Sequence, residues 1–106
     1  MTFYRLDDAT GEPVACANIE EWARWRAEHD DAQQLVDDTI DDVRVSTVFL
    51  GLDHGGPWHD APVLWETIIF GGPNNQAQWR YTSKADALAN HARIVELLKQ
   101  DYRGEL

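Results

Sequence analysis

The chain is poor in the features that most often announce a function. It holds one cysteine, Cys16, among 106 residues. An internal disulfide is therefore excluded, and a lone thiol fits a reducing cytosol. No stretch approaches the roughly 20 apolar residues that a membrane helix needs. The opening residues, MTFYRLDDAT, lack the basic-then-apolar order of a signal peptide. Bases are scarce: nine Lys and Arg stand against nineteen Asp and Glu, a formal net charge of −10. Between Glu28 and Asp42 there are seven acids and no Lys or Arg. A field of that sign repels nucleic acid and anionic lipid. It disfavours direct nucleic-acid binding and any membrane role, and it leaves a protein with a basic surface as the expected partner. Gly71-Gly72 lacks the Lys and following helix of a phosphate loop, and there is no nucleophile elbow, HExxH or Cys/His ladder.

What is present is a core. Hydrophobic residues make up 43% of the chain and five of them are Trp, enough to build one domain over residues 1–106 and too much for disorder. Thr2–Leu6 and Pro13–Cys16 read as a hairpin around a turn at Asp7–Gly11. Asn18 with Glu21 three residues on forms a capping box for a helix ending near His29. Ile19, Trp22, Ala23 and Arg26 share one of its faces, Trp25 lies beside Trp22, and these two Trp read as core-covering aromatics. Residues 33–40 are compatible with helix or strand; β-branched content favours a strand, with Asp41-Asp42 as the turn into the next run. Val43–Leu50 and Val63–Phe70 alternate in the manner of two half-buried strands. Gln78–Tyr81 is a further short strand. Ser83 with Asp86 caps a last helix, whose Ala85, Leu88, Ala92, Val95 and Leu98 are placed toward the sheet. The order β-β-α-β-β-β-β-α, with tight connections, predicts an α+β domain: an antiparallel sheet of about four to six strands with two helices packed on one face.

The candidate chemistry lies in the loop joining the two best strands. It holds Asp53-His54 and His59-Asp60, with Glu66 on the strand that follows and His91 on the last helix. Asp, His and Glu can ligate a divalent metal or move protons, so a metal-dependent enzyme using Asp53, His54, His59 and Glu66 is one reading. The spacing matches no metal signature, and neighbours on a strand point opposite ways. The alternative is structural. Asp53 and His54 latch the loop, with the His54 ring donating to a backbone carbonyl, and Glu66 is a half-buried carboxylate paired with Arg44, Arg80 or His54. On that reading there are no catalytic residues, no metal and no cofactor. His91 is then a satisfied edge histidine and Cys16 a small buried residue.

The strings STVFLGLDH at 46–54, LWETIIFGG at 64–72 and WRYTS onward to His91 resemble a group of small uncharacterised phage and prophage proteins. Those carry a similar STVFLGLDH stretch, an FET-x-x-FGG strand, and an RY turn into a final helix with a His. The likeness covers roughly residues 43–93; Trp65 stands where Phe is usual, and Gly55–His59 form an insert. The resemblance implies cytoplasmic action in a bacterial host and assigns no catalytic residue. It favours a small acidic accessory protein that works by binding another protein. In its sharpest form this is an inhibitor of a host defence system, anti-CRISPR-like, whose carboxylates stand where phosphates would sit. The expected face is Asp30, Asp31, Asp37, Asp38, Asp41 and Asp42, with Trp58 as an aromatic anchor. A homodimer with a structural role is the third reading.

Overall fold

A computed structural model describes residues 2–55 and 60–106. In chain order the elements are β1 (Tyr4–Leu6), β2 (Pro13–Ala15), α1 (Ile19–Glu28), β3 (Gln34–Ile40), β4 (Val43–Phe49), β5 (Trp65–Phe70), β6 (Gln78–Tyr81) and α2 (Lys84–Lys99). A 3-10 turn over Asp30–Gln33 links α1 to β3. β1 and β2 form a two-stranded sheet, and β3-β4-β5-β6 form a four-stranded antiparallel meander. The class is the α+β expected, and residues 34–40 are strand. Among the described residues no helix is long and apolar enough to cross a membrane.

Strand register sorts the side chains into cross-strand rows. Phe49, Trp65 and Tyr81 form one row under the helices; Val36, Thr47, Thr67 and Trp79 form the next; Asp38, Val45 and Ile69 form the third. The opposite face carries Val48, Glu66 and Arg80 in one row and Ser46, Ile68 and Gln78 in another. Period-two alternation makes this sorting unavoidable once register is set. The apolar rows pack into two clusters. Trp25, Phe49, Leu64, Trp65 and Ala87 make one, and Val45, Ile69 and Ile94 the other. Trp25 brings α1 onto the helix-covered face through an edge-on contact with Phe49, ring centroids 5.9 Å apart.

The capping residues act as their spacing implies. Asn18 Oδ1 accepts from Glu21 N at 2.9 Å, and Ser83 Oγ from Asp86 N at 3.0 Å. The Glu21 carboxylate reaches back to Ala17 N at 2.8 Å, one residue before the cap. That bond, followed by the Arg5 guanidinium, holds Glu21 below the usual carboxylate range. The β3–β4 connection is the two residues Asp41-Asp42. Asp41 sits at φ 54, a left-handed conformation that Asp tolerates. Gly71, at φ 95, lies against this turn, where a Cβ would come within 2.5 Å of the Asp42 carbonyl oxygen. Only glycine fits so close an approach.

Three expectations are corrected. Ile19 is exposed and Trp25 is the buried residue of α1, so that helix presents a different side to the sheet. Cys16 is only half-buried. On α2, the buried residues are Ala87, His91 and Ile94, while Ala85, Leu88 and Ala92 face solvent. The helix is rotated so that His91 and Ile94 face the sheet, while Val95 and Leu98, half-buried, still pack along the edge of the stripe as expected. His91 is the reason: it occupies the middle of the buried stripe because polar partners await it there.

This rotation makes a stability prediction. Ile94→Ala should cost about 2–5 kcal/mol in urea unfolding, as expected for a filled core site. Leu88→Ala should stay within about 0.5 kcal/mol of the parent, as at an ordinary surface site. Comparable losses at both positions would contradict the placement of α2.

Candidate functional site: a buried hydrogen-bond chain and an acidic strand edge

The largest concentration of potential chemistry lies beneath α2. Thr47 and Thr67 stand opposite each other on β4 and β5, both 0% exposed, with their hydroxyl oxygens 2.6 Å apart. Thr47 Oγ1 lies 2.8 Å from His91 Nδ1, and His91 Nε2 lies 2.8 Å from Asp38 Oδ2 on β3. On the other side the Tyr81 hydroxyl donates to Thr67 Oγ1 at 2.9 Å. Asn90 Nδ2 donates to that Tyr81 oxygen at 2.6 Å, and Arg93 Nε donates to Asn90 Oδ1 at 2.8 Å. One residue from every strand of the meander is thus joined into a single chain with α2.

The two ends fix its direction. A guanidinium only donates and a carboxylate only accepts. Arg93 therefore claims the Asn90 carbonyl and leaves its amide to donate to Tyr81. Tyr81 donates to Thr67, and with a neutral imidazole every hydroxyl is satisfied when Thr67 donates to Thr47 and Thr47 to Nδ1 of His91. The ring hydrogen then sits on Nε2, facing Asp38. The hydroxyls and ring nitrogens of this chain are used once as donor or acceptor in each direction.

The arrangement has the members of a hydroxyl–imidazole–carboxylate relay, but its hydroxyl is sealed. A nucleophile must meet its substrate within about 3–3.5 Å, and Thr47 offers no surface at all. His91 is 3% exposed and lies at the wall of the fold's interior. Only Asp38 reaches solvent, with its side chain about half exposed. The geometry therefore orders the interior and does not present a reactive group.

The loop residues resolve differently. Asp53 Oδ1 accepts from Gly55 N and from Val63 N, both at 2.9 Å, and so ties the two sides of the loop together. At His54 it is the backbone amide that bonds across, to the Val63 carbonyl at 3.0 Å, while the ring faces solvent. The ring is thus not the group that closes the loop. Glu66 is buried and pairs with Arg80, its cross-strand neighbour, at 2.8 Å on the uncovered face. That pair fastens β5 to β6 rather than the loop. Trp58 and His59 lie outside the described residues. Among the described residues, no three His, Cys, Asp or Glu side chains gather as a metal site. The Cys16 thiol is pushed up by partial burial and by the Glu21 carboxylate, which makes it a poor nucleophile.

The six aspartates expected to share one face do not. Asp37 and Asp38 are consecutive on β3, and a strand sends consecutive side chains to opposite faces. Asp37 lies on the uncovered face, where its two oxygens accept from Arg44 Nε and Nη2 at 3.0 and 2.9 Å. The Arg44 hydrogen bond holds its carboxyl below the usual range. Asp38 lies on the α2 side, in the chain. Asp30 and Asp31 precede β3, and Asp41 and Asp42 follow it, all four exposed. The acids therefore line the edge strand on both faces and at both ends.

No family model, curated protein or solved structure matches this chain.

The chain of hydrogen bonds is testable by removing its middle. Thr47→Val deprives His91 Nδ1 of its donor and Thr67 of its acceptor, which should cost about 1–3 kcal/mol in urea unfolding. A double-mutant cycle with His91→Leu should show coupling of about 0.5–3 kcal/mol. Additive losses would mean the two side chains are neighbours without a shared bond.

Proposed function

We propose that this protein acts by binding a basic partner protein and performs no chemistry of its own. The observation that carries this reading is the contrast between two sites. The one relay of reactive groups among the described residues has its hydroxyl at 0% exposure, while the acids around β3 are open to solvent. Loop carboxylates that would otherwise serve a metal are engaged, Asp53 by backbone amides and Glu66 by Arg80. A net charge of −10 raises the encounter rate with a basic surface and is weakened by salt.

The resemblance of the sequence to phage proteins supports a bacterial host as the setting of this binding. An accessory factor that occupies a nucleic-acid-binding surface of a defence complex is the sharpest form of the proposal. Strand alternation argues against a continuous phosphate-like track through Asp37 and Asp38. The acids instead serve to steer and orient the partner, and the contact itself rests on other groups.

Capture from a bacterial host lysate tests the reading. The parent should retain basic proteins that are released by raised salt and displaced by DNA. The variant Asp30→Asn/Asp31→Asn/Asp41→Asn/Asp42→Asn should retain them at least tenfold less well. Capture indifferent to these substitutions would overturn it.

A further inference from the structure

Where that partner docks is visible in how β3 is left. β3 is the outer strand of the meander, seven residues long and without proline, whereas the opposite edge, β6, has four. Sheet edges are usually kept short or blocked, because their free amides and carbonyls pair with any strand that arrives. The two-residue turn at Asp41-Asp42 makes Ile40 and Val43 the closing hydrogen-bonded pair of the hairpin. Bonded pairs then alternate, through Asp38 with Val45. The N–H and C=O groups of Asp37 and Thr39 point away from β4, along the free edge. At the start of β3 a register shift interrupts the ladder, and Gln34 Nε2 bonds the Val36 and Thr47 carbonyls at 3.0 and 3.1 Å. The edge from Val36 to Ile40 is thus regular and held firmly from behind.

Beside this edge runs an open groove of about 410 Å³ between β3 and α2. Val36, Leu88, Ala92 and Val95 give it an apolar floor, and Asp38 and Glu96 line it with carboxylates. Leu88 is among the most exposed large apolar side chains of the protein, at 41%. A strand added to β3 would lie about 4.8 Å from it. Every second side chain would drop into this groove, and the others would lie over the uncovered face beside Asp37.

We infer that the β3 edge and its groove take an extended peptide segment of the partner, alternating apolar and basic residues, by strand addition. Sign selects the occupant. Asp37, Asp38, Asp41, Asp42 and Glu96 surround the edge, with Arg44 and Lys99 as the nearby bases. Two copies of β3 paired about a two-fold axis would set aspartates opposite or beside one another, which is unfavourable in a sheet. The acids that turn away a second copy are those that draw a basic strand. The inference rests on the protein-binding reading and names its surface.

The probe is the seven-residue peptide KVKVKVK with blocked ends, titrated into the full chain. It should bind saturably and slow hydrogen exchange at the Asp37 and Thr39 amides. Affinity should fall at least tenfold when Glu replaces Lys in the peptide, and likewise when the amides along one peptide edge are methylated. Thr39→Pro removes an outward N–H without touching the ladder to β4, since proline is tolerated on such an edge. Leu88→Lys alters only the exposed groove wall. Each variant should weaken binding at least tenfold. Equal binding by both variants, or protection confined to other amides, would overturn the strand-addition site. In that case lysate capture that still depends on Asp30, Asp31, Asp41 and Asp42 would leave the protein-binding reading standing. A dimer in sedimentation velocity that Thr39→Pro abolishes would also overturn the inference, by making a second copy the occupant.

Discussion

The hydrogen-bonded row of Thr47 and Thr67, continued to His91 and Tyr81, constrains everything around it. Apolar burial drives the sheet and α2 together, but it is not directional. The row is. It lies between two apolar rows, Phe49 with Trp65 on one side and Val45 with Ile69 on the other, and it divides the core into two clusters. Buried hydroxyls and an imidazole are costly unless each finds a partner. Here they do so only in one arrangement. A two-residue slip of β4 against β5 keeps the apolar pattern, yet it sets Thr47 against Trp65 or Ile69 and orphans its hydroxyl. The rotation of α2 is fixed by the same need, because His91 must meet Thr47 and Asp38 together. With a neutral imidazole, the terminal guanidinium and carboxylate favour one direction for the bonds between them.

Much of this frame was legible from residue patterns. Alternation marked Val43–Leu50 and Val63–Phe70, which contain β4 and β5, and Asn18 and Ser83 marked the helix starts. Local signals suffice there because a strand's period and a helix cap are local physics. His91 is satisfied as expected but buried rather than at the edge, and its partners could not be named because they lie 44 and 53 residues away in sequence. No spacing rule reaches that far. The available signal was weaker: a threonine at the centre of each buried strand face, and a histidine at the centre of a helix that should have been apolar. The acidic face failed for a different reason. Once residues 34–40 are a strand, Asp37 and Asp38 must part, so the two expectations were already in conflict. The loop latch was only partly visible, since a carboxylate accepting two amides leaves no mark in sequence beyond Asp followed by glycine.

Function follows from where the reactive groups ended up. Among the described residues, Thr47, His91, Asp53 and Glu66 are engaged in bonds that hold the fold together. Around the unpaired edge of β3 the exposed charges are mainly acidic, with Arg44 and Lys99 as the nearby bases. Asp38 belongs to both sets, as the acceptor that ends the interior chain and as a wall of the outer groove. The interior chain thus ties β3 to α2 at Asp38, and on the strand-addition proposal an edge anchored in this way lowers the ordering cost of the added strand.

The central claim is that one directed chain of hydrogen bonds, ending at Asp38, organises the molecule. It is tested most directly by imidazole nitrogen NMR on the folded protein. The account predicts that His91 carries its hydrogen on Nε2, with Nδ1 showing the shift of a hydrogen-bond acceptor, and that Thr47→Val moves the Nδ1 resonance. A ring hydrogen found on Nδ1, whether in the other neutral tautomer or in the imidazolium, would reverse the bond to Thr47 and contradict the account.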